Sequence, residues 1–178
     1  GEALPSIASV SRLMLRTRAR GMPSGTEVRV NGGVSSSVRE VGTPEGTIIE
    51  VADLFYNVPA RRKFLKADSA ESAQVSRLVT QLALVYPEVG FTLTSSGRKV
   101  LDAPPVTALR ERFYQLYGDR PDLVDVQKEA AGVRIVGFVA PLGDQGPVRG
   151  PQNIYVNRRI VRDKTLAHAI SAAYSVAT

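Results

Sequence analysis

The side chains with the clearest chemistry in this sequence are two clusters of cations. The first lies between residues 61 and 66 and holds Arg61, Arg62, Lys63 and Lys66 beside the apolar Phe64 and Leu65. The second lies between residues 149 and 164, where Asp163 is the only acid, and holds Arg149, Arg158, Arg159, Arg162 and Lys164. Guanidinium and ammonium groups bind phosphate oxygens through charge-assisted hydrogen bonds. Both clusters therefore suit contact with phosphates.

Each cluster also has a simpler interpretation. Phe64 and Leu65 could fix a solvated helix to the core while its cations point into water. The second cluster could be a basic sheet edge that keeps neighbouring sheets apart. Charge and spacing alone leave both interpretations open.

The composition favours an anionic partner. Lysine and arginine number 23 against 17 aspartate and glutamate residues, which gives a formal net charge of +6 and a pI of about 9.9. Such a charge attracts nucleic acid, a phosphorylated ligand or anionic lipid without distinguishing among them. With 43% hydrophobic residues, the 178 residues can bury the core of one large domain or two small ones.

The residues that several classes of protein need for their function are absent from this sequence. The chain has no cysteine and one histidine, so it has no disulfide and lacks the usual ligands of a zinc site. It has no Gly-x-Ser-x-Gly motif for a serine hydrolase. No apolar run reaches the roughly 20 residues of a membrane span, and no signal peptide is visible. We therefore expect a cytoplasmic protein.

Hydrophobic periodicity predicts an α+β fold. Its first part should contain a helix from Ala3 to Val10 and an antiparallel meander of strands over residues 12–20, 26–30, 38–41 and 47–55. Asn31-Gly32-Gly33 is a strong hairpin signal. A buried strand is predicted by Ile48, Ile49 and Val51. A basic outer face of the first strand is predicted by Arg12 and Arg16. Asn57 is predicted to cap a helix before Pro59.

The first part continues with a long amphipathic helix that begins at Asp68 and ends at Pro87. A hairpin over residues 91–101 follows, and Pro104-Pro105 marks a domain boundary. The remaining predicted elements are a helix (109–117), two strands (123–128 and 133–140), a Gly/Pro-rich loop (141–151), a strand (154–161) and a helix (164–176). The predicted domains are residues 1–103 and 106–178.

Three stretches resemble signatures of the MutL family of DNA mismatch repair proteins. Residues 46–66, GTIIEVADLFYNVPARRKFLK, match one signature nearly letter for letter. The opening GEALPSIASVSRL resembles the family's GEAL lid motif, and IYVNRRIVRDK, residues 154–164, is similar to its VNGRxxRD segment. The resemblance covers the whole chain in family order. It implies the C-terminal half of a GHKL (Bergerat-type) ATPase sandwich, followed by a transducer domain with a left-handed βαβ crossover.

The resemblance also implies a nucleotide site. Gly1, Ala3 and Leu4 match the lid that closes over the phosphates, and Thr47 matches a threonine near the nucleotide. ATP and Mg²⁺ would be cofactors of the full-length parent, a weak ATPase. The family's general base and metal-binding asparagine precede the lid, and its γ-phosphate lysine lies beyond residue 178. We therefore expect no catalytic residue, no bound cofactor and no ATP hydrolysis in this chain alone.

DNA binding is the second implied activity. Lys164 matches a basic position that contributes to DNA binding, flanked by Arg159 and Arg162, and Arg158 and Arg149 belong to the same cluster. Contact with phosphates would make this binding independent of base sequence. The implied partners are DNA, a mismatch-recognition protein of MutS type, a downstream endonuclease and helicase, and a second copy of the parent. Arg158 departs from the family pattern, because it stands where the family commonly has glycine.

Two further expectations complete the interpretation. The chain begins inside the lid motif, which in the family follows Phe-Arg, so we expect a piece of a longer protein with exposed apolar surface. The alternative is a non-enzymatic basic α+β module of ribosomal or RNA-associated type. Residues upstream of Gly1 would distinguish the two.

Overall fold

The computed structural model describes residues 1–141 and 152–176. The chain divides into two compact units, Gly1–Ala67 and Asp68–Thr178. Both combine helices with antiparallel strands, so the predicted α+β class is confirmed. The division predicted between residues 103 and 106 falls within the second unit and stays a prediction about domains.

The first unit is a four-stranded sheet with two short helices. Its elements are α1 (Ala3–Ala8), β1 (Arg12–Arg18), β2 (Gly25–Asn31), β3 (Val34–Val41), β4 (Gly46–Ala52) and α2 (Pro59–Arg62). The predicted hairpin at Gly32 and Gly33 joins β2 to β3, with φ of 58° and 88°. The strand order is β3-β2-β1-β4, so the predicted meander is wrong for β4, which pairs with β1.

A connection over residues 42–45 carries the chain past the start of β2 to the far side of β1. A Cβ atom on Gly25 would lie 2.5 Å from Thr43 Cγ2 and 2.6 Å from the carbonyl oxygen of Thr17. The backbone N–H of Gly21 donates to Glu45 Oε1 at 3.0 Å and holds the other end of the connection. The missing side chain of Gly25 therefore permits the crossing that places β4 beside β1.

One face of this sheet is apolar. The register of the strands places its apolar residues beside one another, and these are Leu13, Leu15, Val28, Val30, Ile49 and Val51. Leu13 is buried, but Ile48, Ile49 and Val51 are 44–45% exposed. The prediction of a buried strand was therefore wrong. The reason is that β4 lies at the edge of this sheet, where its apolar side chains stay partly exposed. Exposed apolar surface is present, as the resemblance implied.

Over residues 68–141 and 152–176, the second unit contains three two-stranded hairpins and three helices. Its elements are α3 (Asp68–Val85), β5 (Phe91–Ser95), β6 (Arg98–Ala103), α4 (Leu109–Tyr117), β7 (Val124–Ala130), β8 (Val133–Val139), β9 (Ile154–Val156), β10 (Arg159–Val161) and α5 (Lys164–Val176). The strand predicted over residues 154–161 is in fact a tight hairpin. Its turn is Asn157-Arg158, with φ of 48° and 63°.

A buried arginine joins the elements at the start of this unit. Arg112, on α4, is fully buried and donates from Nη1 to the carbonyl of Ala103 at 2.9 Å. Its Nη2 donates to the carbonyls of Pro87 and Val89 at 2.8 and 2.6 Å. Burial lowers the pKa of Arg112, an effect that nearby Glu88 opposes. One guanidinium therefore satisfies backbone acceptors after α3, before β5 and at the end of β6.

Replacing Gly25 with alanine should destabilise the first unit by about 1–3 kcal/mol, because the added methyl group collides with backbone that cannot move aside cheaply. The matched control is Gly42→Ala, since a Cβ there meets no atom within 4 Å. Urea unfolding followed by circular dichroism compares the two variants. Equal unfolding midpoints would show that the crossing does not depend on Gly25.

Replacing Arg112 with alanine should lower the free energy of unfolding by about 3 kcal/mol. The change leaves three backbone carbonyls without their donor, and one buried acceptor without a donor costs about 1–3 kcal/mol. The three losses do not simply add, because the carbonyls are neighbours. Arg110→Ala is the control on the same helix. Arg110 pairs with Asp125 at 2.8 Å with both side chains exposed, so its loss should cost less than about 1 kcal/mol. Similar costs for the two variants, measured by urea unfolding, would contradict the role given to Arg112.

Candidate nucleotide lid and nucleic-acid interface

The predicted lid residues lie at the free end of a helix whose other end is firmly held. Gly1, Ala3 and Leu4 are exposed at the start of α1. The four consecutive carbonyls after this helix, on residues 8–11, each accept a hydrogen bond from outside it. The carbonyl of Ala8 accepts from Gly33 N at 3.0 Å, and that of Ser9 from Asn57 Nδ2 at 3.0 Å. The carbonyl of Val10 accepts from Phe55 N at 2.6 Å, and that of Ser11 from Gly32 N at 3.0 Å.

Asn57 therefore has a different role from the predicted helix cap. Val58 precedes α2 without a capping side chain, and the amide of Asn57 donates instead to the carbonyl of Ser9. Pro59 does occupy the first turn, as predicted. Helix α1 also ends earlier than predicted, because Ser11 Oγ donates to the carbonyl of Ile7 at 2.7 Å. The first two signature stretches thus contact each other within this unit.

The turn after β4 has a shape that suits this contact. Asp53 and Phe55 have positive φ, at 52° and 63°, a conformation that costs free energy for residues other than glycine. Arg12 pairs with Asp53 at 3.2 Å and lies over the ring of Tyr56, 5.1 Å from its centroid. These contacts direct the Phe55 N–H and the Asn57 side chain toward the residues that follow α1.

Thr47 lies at the opposite end of β1 from these anchors. It is exposed, and its hydroxyl is 2.9 Å from that of Thr17, the residue it faces across β1 and β4. The end of α1 is tied to the start of β1 near Arg12, about 17 Å away along the strand at 3.4 Å per residue. Thr47 and the anchored end of α1 are therefore not neighbours.

Part of the basic face predicted for β1 belongs to an ion-pair cluster that keeps a net positive charge, because three arginines share one carboxylate. Glu27 is fully buried and pairs with Arg16 at 2.5 Å and with Arg29 and Arg39 at 2.8 Å each. Hydrogen bonds from Arg29 and then Arg16 outweigh burial and lower the pKa of Glu27 from 4.5 to about 2. These arginines are therefore engaged with one carboxylate, and the charged face acts first as a structural network.

The cations around α2 stand on an exposed segment. None of the residues of α2 is buried. Phe64 is 86% exposed and Leu65 is 41% exposed. The interpretation in which these two residues anchor a helix to the core is therefore wrong for this chain.

The predicted DNA-binding residues are divided by the β9-β10 hairpin. Arg158 forms an ion pair with Glu88 at 2.5 Å and lies 5.3 Å from the centroid of the Tyr86 ring. Arg159 lines a shallow cavity on the hairpin with Val156, whereas Arg162 lines a separate groove. Lys164 begins α5, and Arg149 lies outside the described residues. Among the described cations, Arg159 and Arg162 therefore line different cavities, and Arg158 is engaged with Glu88.

The groove beside Arg162 lies within the second unit and has a volume of about 590 Å³. Its lining consists of Arg77, Thr80, Gln81, Tyr117, Gln152, Asn153 and Arg162. Arg77 was missed at the sequence level, because a single arginine within the apolar periodicity of α3 carries no distinguishing signal. Nothing in the local sequence links residue 77 to residue 162.

Two kinds of feature are absent from the part of the chain that the structure describes. Residues 1–141 and 152–176 contain no group of three or more histidine, cysteine, aspartate or glutamate side chains placed to hold a metal ion. No helix in the same ranges is long and apolar enough to cross a membrane.

Comparison with known proteins gives a consistent result. The family model described as DNA mismatch repair protein, C-terminal domain, matches residues 114–178. The chain is 41% identical to the DNA mismatch repair protein MutL of Acidobacterium capsulatum and 43% identical to that of Opitutus terrae, with 98% of the chain covered in each case. It spans only 30% and 28% of the length of those relatives.

Solved structures agree with these relatives. The Aquifex aeolicus MutL ATPase domain complexed with ADP matches with a TM-score of 0.84 and 35% identity, over 97% of this chain and 68% of that one. Another structure of the ATPase domain, from the bacterial mismatch repair endonuclease Aquifex aeolicus MutL, matches with a TM-score of 0.77 and 33% identity, over 99% and 67%.

The buried Glu27 predicts a pH-dependent stability. Because its pKa is about 2 when folded and 4.5 ordinarily, its stabilising effect is complete above about pH 5 and is lost as the pH falls toward 2. Glu27→Gln should therefore unfold at lower urea concentration than the parent chain at neutral pH, by a difference that shrinks between pH 4.5 and 2. Glu2→Gln is the control, since Glu2 makes no side-chain capping bond. A constant difference across that range would contradict the assignment.

Proposed function

This chain belongs to the MutL family of DNA mismatch repair proteins, and from that membership we propose that it supplies a nucleotide lid and a DNA-contacting surface to an ATP-dependent protein. That protein couples mismatch recognition to downstream nuclease and helicase steps. Its other proposed partners are a mismatch-recognition protein of MutS type and a second copy of itself.

The proposed nucleotide contacts are the backbone of Gly1, Ala3 and Leu4 and the hydroxyl of Thr47. All are exposed, and a hydroxyl can both donate to and accept from a bound nucleotide. A glycine at the start of the lid permits close approach of the backbone to phosphates. A similar solved domain binds ADP, which supports a nucleotide as the ligand. ATP with Mg²⁺ is the proposed cofactor of the whole protein, where it would supply the phosphoryl group and its charge neutralisation.

The proposed DNA contacts are Arg159, Arg162 and Lys164. The observation that carries this proposal is that none of these side chains has an ion pair with any residue in the ranges 1–141 and 152–176. Arg158 is a weaker candidate, because Glu88 already balances its charge. An unpaired cation can neutralise a phosphate and release a counterion, whereas a paired one must first break its contact.

Binding of the chain to duplex DNA should weaken with salt and should not depend on base sequence. Three phosphate contacts predict a slope of log affinity against log salt of about −3, and adding Arg158 and Arg149 would steepen it to about −4 to −5. Fluorescence anisotropy with two unrelated duplexes measures this slope. Arg162→Ala and Lys164→Ala should each reduce it by about 1.

The control for these variants is Arg98→Ala. Arg98 is an exposed cation on β6, outside the hairpin and the groove, and its loss should leave the slope nearly unchanged. A flat salt response of the parent chain, or equal effects of all three variants, would count against the proposed DNA surface. Tighter binding to RNA than to DNA would favour a ribosomal type of module instead.

A further inference from the structure

The sheet of the first unit has a charged face opposite its apolar face. Strand register places alternate residues of β1 to β4 on this charged face. Its charged members are Arg12, Arg16, Arg18, Glu27, Arg29, Arg39 and Glu50. Arg12 is paired with Asp53, which follows β4. Five arginines against three carboxylates leave two positive charges in excess on the face.

The three arginines around Glu27 are fixed by its carboxylate and keep free donors. Arg16, Arg29 and Arg39 each donate to it through Nε, at 2.5, 2.8 and 2.9 Å. Their side chains are nevertheless 37%, 47% and 57% exposed. Within residues 1–141 and 152–176, the Nη groups of Arg16 and Arg29 meet no acceptor. A ligand can therefore bind these outer groups without breaking the bonds to Glu27, and it meets guanidinium groups whose orientation is already set.

Arg18 extends this array along β1. It lies two residues beyond Arg16 on the same face, roughly 7 Å away at 3.4 Å per residue. Its side chain makes no ion pair or hydrogen bond with the part of the chain that the structure describes. Across the sheet, Arg39 lies two strands from Arg16, roughly 10 Å away. A DNA strand carries one charge for about every 3.4 Å of helix axis, so cations spread over these distances can contact successive phosphates.

The composition of the charged face favours a nucleic-acid backbone over a protein partner. Protein interfaces bury aromatic and other apolar anchors at their centre. Strands β1 to β4 contain no phenylalanine, tyrosine or tryptophan, and Met14, which lies between Arg29 and Glu50 on this face, is already buried. Interfaces with DNA are more polar and more positively charged. Every cation of the face is an arginine, whose paired N–H groups match phosphate oxygens.

We propose that the charged face is a second DNA-binding surface, on which Arg16, Arg18, Arg29 and Arg39 bind phosphates of the duplex backbone. The choice of DNA as the polyanion rests on the proposed function. The surface itself belongs to the first unit and uses no residue of the β9-β10 hairpin or of α5. Because only phosphates are contacted, binding at this surface is independent of base sequence.

The test starts from a triple variant of the 178-residue chain, in which Arg159, Arg162 and Lys164 are all replaced by alanine. It should still bind duplex DNA, with a slope of log affinity against log salt of about −3 to −4 from four phosphate contacts. Adding Arg18→Ala or Arg39→Ala should each weaken binding about fivefold at low salt and reduce the slope by about 1. Adding Arg98→Ala instead is the control.

Both added variants should leave the sheet folded. In Arg39→Ala, Glu27 keeps Arg16 and Arg29 as partners, and Arg18 has no partner to lose. Circular dichroism melting of each variant checks this, and Arg18→Ala alone decides the test if Arg39→Ala melts early.

A gain of binding gives a second measurement that misfolding cannot imitate. Glu50→Gln removes an exposed negative charge from the charged face and should strengthen duplex binding by the triple variant about twofold at low salt. Glu40→Gln is the matched control, because Glu40 is also exposed but pairs with Thr26 on the opposite face of the sheet. Equal strengthening by the two changes would show that net charge alone acts, and would overturn the proposal.

The outcomes separate this inference from the function on which it rests. If the triple variant loses all duplex binding, the charged face is overturned as a DNA surface while the hairpin surface stands. If the triple variant binds like the parent chain and Arg18→Ala weakens it, the hairpin contacts fail and the charged face stands. If both added variants behave like Arg98→Ala, the proposal is wrong. A poly-glutamate peptide that displaces the duplex from the triple variant at equal charge concentration would show that the face binds an acidic protein instead.

Discussion

The first unit depends on satisfying four successive backbone carbonyls where α1 ends. A helix terminus leaves acceptors without intrahelical partners, and buried acceptors must find donors elsewhere. Here the donors come from the β2-β3 turn and from the turn after β4. Both turns reach the same stretch only because β2 and β4 flank β1, the strand that follows it. Sheet order, turn conformation and helix position are therefore one linked requirement.

The second unit meets the same requirement with a side chain. Two carbonyls of the loop between α3 and β5 and one at the end of β6 converge on Arg112, which has the planar fork of donors needed to bind them together. A lysine has fewer donors and a point charge, so it could not replace this geometry fully. The guanidinium keeps its charge without a directly paired acid, because carbonyl dipoles and Glu88 stabilise it. In both units, irregular segments are fixed by directed hydrogen bonds as much as by apolar packing.

Local sequence patterns predicted most helices and strands. They failed where contacts between residues far apart in the sequence determine the structure. Helix α4 was predicted with its observed bounds, and the glycine pair after Asn31 gave the hairpin, because both signals lie within a few residues. The place of β4 was missed because it depends on a crossing that Gly25 permits, and a small residue leaves no periodic signal. Asn57 was misassigned as a cap for a similar reason. Its acceptor, the carbonyl of Ser9, lies 48 residues away.

The charged residues show the same limit, because the sequence does not reveal which arginines form ion pairs. The net charge of +6 counts every arginine equally, but the structure engages Arg16, Arg29 and Arg39 with Glu27. Arg158 is likewise paired with Glu88, although it lies in the segment that resembles the family's VNGRxxRD signature. One carboxylate balances one guanidinium group, so the cluster around Glu27 keeps a net charge of +2 while hydrogen bonds hold its arginines in place. In the proposed function, Arg159, Arg162 and Lys164 have no ion pair among the described residues, so they can contact phosphates without first breaking a bond to an acid.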